Sequence, residues 1–537
     1  YVESEHPEFL VNKLYYDAYK KDMTAGTYPD VRSGLQKLLK DGLLLFNYTG
    51  HGGTTALSDE KVLTQTDINQ FTYTHLPVWV TATCDFTRFD DLNTSAGEDV
   101  FLNKSSGGIA LFTTVRVAYS RPNFPINDNV IRNLFERNNG RRRTLGEVMQ
   151  ATKNTLSSVY KLGFCLIGDP AVKMAYPEFG MKVTTVNGQS VDGNSISFKA
   201  LEKITVEGEV LDASGQLVTD FTGIVNPTVK DSKVTVTCLK NSNKDDSPAF
   251  TFTDYPNTIF IGNDSVRNGK FSFTFTVPKD ISYSNLQGKM NLYAVDTESG
   301  NEAQGNFDNF IVGGTSDTAE TDTIGPEIRA LYLNDTTFVD GGQVNTTPYF
   351  VAELWDKSGV NITGSSVGHD MMLVIDESTV LSYNLNSYYE LLLGEDGTGI
   401  VKFPIPALEP GKHTAEFWVW DILNNSTVRT FTFEVVEGLK PFLFDVIATP
   451  GIAREQVTFH LMHNRPESRM RVGIMVYDLA GRQLWKHEES GTSGLFENYT
   501  VSWDLTSGGA RMRPGVYIYR AAPIIPKTRQ KQGNSSF

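Results

Sequence analysis

The chain is 537 residues long, 40% hydrophobic and 11% aromatic, with a formal net charge of −15. That length exceeds one hydrophobic core and predicts roughly three to five domains, while the acidic balance argues against a nucleic-acid partner, which calls for a basic face. No apolar run reaches the roughly 18 residues of a membrane-spanning helix, and Cys84, Cys165 and Cys238 are too few and too widely spaced for a zinc site or a disulfide framework.

The sequence opens at Tyr1 without an initiator methionine or a signal peptide, and so reads as a mature or truncated piece. Val31, Leu35, Leu38 and Leu39 fall at helical spacing, and Gly42 supplies the stop that a helix end favours. An apolar strand from Leu43 then runs into Gly50-His51-Gly52-Gly53. A second, from Pro77 to Thr83, runs into Cys84-Asp85, and a third covers Gly108 to Thr114. Helices are predicted near Asp128 to Arg137 and from Thr144, where Glu147 completes capping-box spacing. A fourth strand, Phe164 to Ile167, closes on Gly168-Asp169-Pro170. Strands alternating with helices predict a parallel sheet with helices on both faces.

After Pro177 the helical period stops. Short alternating strands such as Lys203–Val210 and Phe271–Val277, punctuated by turn residues, predict a β-sandwich over 178–315. The small, acidic stretch from Gly313 to Pro326 reads as a linker. A second β-domain follows over 316–440, with His413–Trp420 as one strand. A last all-β module over 441–537 carries strands at Arg471–Tyr477, Val501–Trp503 and Val516–Arg520.

The chemistry concentrates at the first two strand ends. In an open α/β sheet the ligand crevice lies at the carboxyl ends of the strands. A thiol reacts as its thiolate, and a neighbouring imidazole can take its proton and later deliver one to a leaving amine. His51 and Cys84, 33 residues apart, leave room for one crossover connection if their strands are parallel neighbours. The backbone N–H groups of Gly52 and Cys84 are then placed to stabilise an oxyanion. Each residue also has a plainer reading, Cys84 as a small packed hydrophobe and His51 as a turn residue. Asp85, Arg88, Asp90 and Asp91 either shape the substrate cleft or cap the next helix and pair with one another. Arg116, just past the third strand, either binds an anionic substrate group or is a solvated loop residue. Arg141-Arg142-Arg143 reads as an exposed loop, His75 as structural, and Cys165 and Cys238 as core or edge positions.

Asn47-Tyr48-Thr49-Gly50-His51-Gly52-Gly53, Thr81-Ala82-Thr83-Cys84-Asp85-Phe86, Ser95-Ala96-Gly97-Glu98 and Phe164 to Pro170 resemble the gingipain family of cysteine peptidases, and within it the sortases of the type IX secretion system. Trp355 to Asn361 and Gly368-His369-Asp370 resemble the β-domains of those sortases. The resemblance implies a caspase/gingipain-like α/β catalytic domain at 1–177, truncated at its N-terminal side, with His51 and Cys84 as the dyad. It implies a surface enzyme, associated with the outer membrane, that removes C-terminal sorting domains from exported cargo proteins. An amine of anionic lipopolysaccharide then resolves the Cys thioester, and a PorV-type outer-membrane β-barrel holds the enzyme in place. No cofactor is implied; Asn243-Lys244-Asp245-Asp246 offers carboxylates to a structural calcium or is simply solvated. A secreted protease acting by hydrolysis and an inactive surface adhesin or scaffold are the alternatives. In the family more sheet precedes the first strand, so a histidine-orienting acid and much of the specificity pocket are expected there. The module over 441–537 resembles a type IX sorting-signal domain, although Pro523 and Pro526 disfavour its usual final strand.

Overall fold

The structure is a computed structural model that describes all residues except 72, 74, 104, 105, 139, 158, 242–246, 318–321, 365–367, 393–396, 438, 440–442, 464–469, 494–497 and 524–537. The chain divides into two compact units, Tyr1–Val277 with Ile281–Thr315, and Pro278–Asp280 with Ser316–Phe537.

The first unit begins with a four-stranded sheet. Helix α1 (Pro29–Asp41) starts with a proline, whose missing N–H costs nothing in the first turn, and ends at Gly42, whose φ of +104° favours glycine. Strands β1 (Leu45–Thr49) and β2 (Val78–Ala82) pair in parallel. Helix α2 (Ala96–Leu102) carries a complete capping box between Ser95 and Glu98. Strand β3 (Ala110–Thr114) joins β2 in parallel. Helices α3 (Ser120–Phe135) and α4 (Leu145–Thr155) follow, the latter capped by Thr144 and Glu147 as expected. Strand β4 (Phe164–Ile167) completes the order β1-β2-β3-β4.

All five residues of β2 and of β3 are buried, as a sheet covered on both faces requires. Trp79 and Leu111 pack with Val31, Leu35 and Leu39 of α1 and with Ala96 and Val100 of α2. Val80 and Phe112 pack on the other face with Ile126, Val130 and Leu134 of α3 and with Leu145 and Val148 of α4. Each large apolar side chain so buried stabilises the fold by about 1.5–3 kcal/mol.

Two expectations are corrected here. Strand β4 runs antiparallel to β3, with Leu111 opposite Ile167 and Thr114 opposite Phe164. The chain enters β4 from the short turn Val159–Gly163, whose last carbonyl accepts from Val115 N at 2.8 Å. It therefore arrives at the carboxyl end of β3, without the crossover that a parallel strand needs. Helix α3 also begins at Ser120, eight residues before the Asp128 start, and carries Pro125 inside it.

The remainder of the unit is built from a nine-stranded sheet, a three-stranded sheet and a separate two-stranded sheet of Val234–Thr237 and Thr251–Asp254. Lys203–Leu211 and Lys270–Thr276 pair antiparallel within the larger sheet, with Phe271, Phe273 and Phe275 turned inward. They meet Phe198 and Phe310 of the smaller sheet in one core. Gly313-Gly314-Thr315, read as linker, instead lies inside the strand Phe310–Thr315. Residues 318–321 of that stretch lie outside the described residues.

In the second unit a four-stranded and a five-stranded sheet enclose a core that includes Phe350, Phe403, Phe417 and Phe433. Further along, Leu443–Thr449, Val457–His463 and Tyr499–Trp503 form one three-stranded sheet, and Gln483–Gly491, Met470–Tyr477 and Ile518–Pro523 another. Pro523 ends its strand opposite Val472, so a proline at the terminus is tolerated. Pro526 and the tail beyond it lie outside the described residues. Among the described residues no helix is long and apolar enough to cross a membrane, which says nothing of strands.

Candidate active site

Parallel pairing of β1 and β2 places Thr49 opposite Ala82. His51 and Cys84 each stand two residues further on, so they occupy matching positions at the carboxyl ends of adjacent strands. The two turns touch. Gly50 N donates to Ala82 O at 3.5 Å, and a Cβ added to Gly52 would stand 2.4 Å from Thr83 Oγ1. Only glycine lets the histidine turn close against the cysteine turn this tightly.

The histidine side is held through its backbone. His51 O accepts from Tyr48 Oη at 2.6 Å and from Ser58 N at 2.8 Å, while Gly53 N donates to Ala56 O at 3.0 Å. Burial drives the Tyr48 hydroxyl well above its ordinary pKa, with Tyr16 beside it adding to the effect, so it stays a neutral donor. The His51 side chain itself is exposed.

Cys84 is half-buried, and its thiol donates to Ala118 O at 3.1 Å and accepts from Ala118 N at 3.4 Å. Beneath it lies a cluster of buried threonines. Thr114 Oγ1 donates to Thr83 O at 2.5 Å, and Thr113 Oγ1 bonds the hydroxyls of Thr81 at 2.8 Å and Thr87 at 2.9 Å. Asp85 adopts a φ of +48° and donates its N–H to Arg116 O at 3.3 Å. Among the described residues its Oδ1 is buried without a hydrogen-bond partner, as is Thr83 Oγ1. The backbone N–H groups of Gly52 and Cys84 take no part in the backbone bonds that close the two turns.

The other candidates separate from this pair. The Arg116 guanidinium makes two bonds to the Asp90 carboxylate, at 2.9 and 2.5 Å, and holds that carboxyl below its usual pKa. Arg88 pairs with Asp91 at 3.4 Å. Cys165 lies in β4 as a half-buried free thiol, while burial of Cys238 pushes its pKa up and away from reactivity. The arginine run is engaged: Arg141 pairs with Glu147, Arg142 with Glu178 and Arg143 with Glu136.

For a metal, the described residues offer one group of three carboxylates, Asp322, Asp356 and Asp421, with one oxygen of each within 4.8 Å of the others. Backbone N–H groups already bind them: Ser358 and Gly359 donate to Asp356, Leu423 and Asn425 to Asp421, and Ile324 to Asp322. Asn243 to Asp246 lie outside the described residues.

Sequence reasoning missed three residues at the site. Tyr48 precedes His51 by three positions and reads as one more core aromatic of β1. Thr114 reads as the end of a strand, and Ala118, which holds the thiol, carries no chemical signal at all.

Residues 1–175 match the model of peptidase family C25. No curated protein matches the chain. Among solved structures, dimeric latent PorU from Porphyromonas gingivalis is 37% identical, covering 79% of this chain and 40% of its own, with a TM-score of 0.34. The Arg-specific cysteine proteinase gingipain R is 19% identical, covering 52% of this chain and 56% of its own, with a TM-score of 0.26. The chain thus spans less than two thirds of either relative.

Proposed function

We propose that this chain, whose residues 1–175 belong to peptidase family C25, is a cysteine peptidase with Cys84 as nucleophile and His51 as base. The observation that carries the reading is the register of β1 and β2, which brings the two residues to matching strand ends. In this reaction the thiol leaves Ala118 O and turns to the imidazole, which takes its proton. The thiolate attacks the scissile carbonyl carbon, and the N–H groups of Gly52 and Cys84 receive the oxyanion. The imidazolium returns its proton to the departing amine as the C–N bond breaks, leaving a thioester on Cys84.

The finer reading is a sortase. The enzyme acts at the cell surface, held by an outer-membrane β-barrel partner, and cuts C-terminal sorting domains from exported cargo. An amine of anionic lipopolysaccharide attacks the thioester and anchors the cargo. What supports this is the resemblance of Asn47 to Gly53 and Thr81 to Phe86 to the type IX sortases.

Mass spectrometry of the C-terminus of an exported cargo tests it, in hosts carrying the complete enzyme or its Cys84→Ala form. A cargo end joined to a glycolipid amine, lost in the variant, is the expected result. A Cys84-dependent free carboxylate would replace transfer by hydrolysis. Cargo processing indifferent to Cys84 would overturn the enzymatic reading and leave a scaffold.

A further inference from the structure

Both hydrogen bonds on the His51 carbonyl, from Tyr48 Oη and from Ser58 N, come from groups that a distant part of the first unit touches. The Tyr16 hydroxyl lies beside those of Tyr48 and Ser58, though Ser58 Oγ makes no hydrogen bond of normal geometry. Two residues past Ser58, Glu60 Oε1 accepts from Lys21 Nζ at 3.1 Å. Tyr16 and Lys21 bracket one short turn, and that turn is gripped by Asn241, which lies between the paired strands Val234–Thr237 and Thr251–Asp254.

The grip uses every polar atom of the Asn241 side chain. Its Nδ2 donates to Asp17 Oδ1 and to Tyr19 O, both at 2.9 Å, and its Oδ1 accepts from Lys21 N at 3.2 Å. Asp17 in turn accepts from Asn241 N at 2.8 Å and Lys240 N at 2.9 Å, and its carbonyl accepts from Leu239 N at 2.7 Å. Lys21 therefore carries both links at once, its N–H on Asn241 and its ammonium on Glu60 of the histidine loop.

We propose that Asn241 and the turn 16–21 form a positioning device for His51: Asn241 holds the turn, and the turn holds the loop that aims the imidazole. This rests on the reading of His51 as the base. A residue some 190 positions from His51 then has a part in the chemistry that its distance in sequence conceals. An imidazole displaced from the line to Cys84 assists the thiol less, since base catalysis depends on heavy-atom geometry before it depends on pKa. Asn241 touches no reacting atom and acts only through the loop.

The rate at which iodoacetamide alkylates Cys84 in the full chain, followed by mass spectrometry from pH 5 to 9, tests this without a known substrate. His51→Ala defines the profile of an unassisted thiol. Asn241→Ala is expected to slow alkylation at pH 6 about fivefold and to move the profile toward that of His51→Ala. Tyr48→Phe deletes the hydroxyl that bonds His51 O and neighbours Tyr16, and is expected to act in the same direction, so it decides the matter if Asn241→Ala fails to fold. Lys13→Ala removes a separate link, to Thr253 O at 2.6 Å, and is expected to leave the profile alone. Parental profiles for both Asn241→Ala and Tyr48→Phe, beside a shifted His51→Ala, would overturn the device while keeping the base. A parental profile for His51→Ala would remove the base, and the device with it.

Discussion

At and beside the two facing turns, Thr83 Oγ1, Asp85 Oδ1 and Ser58 Oγ are buried without hydrogen-bond partners among the described residues. Around Asp356 in the second unit, three carboxylates crowd together, yet each accepts at least two hydrogen bonds from nearby N–H or hydroxyl groups. An unsatisfied buried polar atom costs about 1–3 kcal/mol, and the first region carries three where the second carries one, Asn424 Oδ1. Such concentrations mark places where side chains serve something other than the fold. The turns of His51 and Cys84 hold polar atoms in reserve; the carboxylates of the second unit use theirs to shape loops.

The comparison breaks most sharply if the reserve proves idle. On the proposed function, Cys84→Ala and His51→Ala are each expected to lower release of a sorting domain from a cargo fusion by about a thousandfold or more. Their thermal unfolding midpoints are expected to stay near the parental value, because the His51 side chain is exposed and Cys84 gives up only its two thiol bonds to Ala118. A residual rate within tenfold of the parent for either would return these residues to a structural role.

A smaller effect is expected from Gly52→Ala, whose Cβ would meet Thr83 Oγ1 at 2.4 Å and Cγ2 at 3.2 Å. Forcing the turns apart should destabilise the unit by about 1–3 kcal/mol. It should slow cleavage by about 10- to 100-fold, since misplacement of this order is costly for a two-residue reaction. Thr83→Ala in the same chain removes the obstructing atoms and should recover part of both losses, giving a coupling energy in a double-mutant cycle. Strict additivity would mean that the turns do not meet as described.

The local features of this site were readable because local rules produce them. Thr144 with Glu147, Gly42 after Leu39, and apolar strands ending in Gly50-His51-Gly52 and Cys84-Asp85 each declare themselves within a few residues. The direction of β4 was not readable, because Phe164 to Ile167 looks the same in either orientation; the turn at Val159–Gly163 decides it. The start of α3 was hidden by Pro125, which in sequence argues for a break and here sits within the first two turns. Least visible were the contacts that join distant segments. Nothing near Asn241 points to Asp17, and nothing in Ala118 announces that it holds the thiol.

The tied-down region has its own test. Burial, opposed in part by the N–H bonds of Ser358 and Gly359, pushes the Asp356 carboxyl up to about 6, with Asp421 and Asp322 adding to the rise. Burial likewise raises Asp421, while Ser358 and Ile324 hold Asp322 down; Lys357 and Tyr389 complete the charged and titratable surroundings. A folded pKa above the unfolded value means that the native state holds the proton more tightly between about pH 4 and 6. The contribution of Asp356 to stability is therefore greatest below about pH 4 and is lost as pH rises through 6, on the order of 2 kcal/mol in all. Asp356→Asn keeps an acceptor for both N–H groups and cannot ionise. Its unfolding midpoint, measured with a chelator present, should gain on the parent across that window. A constant difference from pH 4 to 7 would show that the carboxylate ionises freely in place.

The smallest effect is expected at Arg116. Its guanidinium is half-exposed and already paired with Asp90 across two bonds, so it presents little uncompensated charge to a substrate. What the neighbouring turn uses is its backbone: Arg116 O accepts from Asp85 N, and that bond survives any side-chain change. Arg116→Ala should leave the unfolding midpoint unchanged within error, as exposed ion pairs generally do, and alter cleavage by less than about threefold. A loss beyond tenfold, matched by Arg116→Lys and absent in Asp90→Ala, would mean that the arginine leaves Asp90 for the substrate. Arg116 would then join His51 and Cys84 as part of the reserve, and the boundary between the working turns and their scaffold would move outward by one loop.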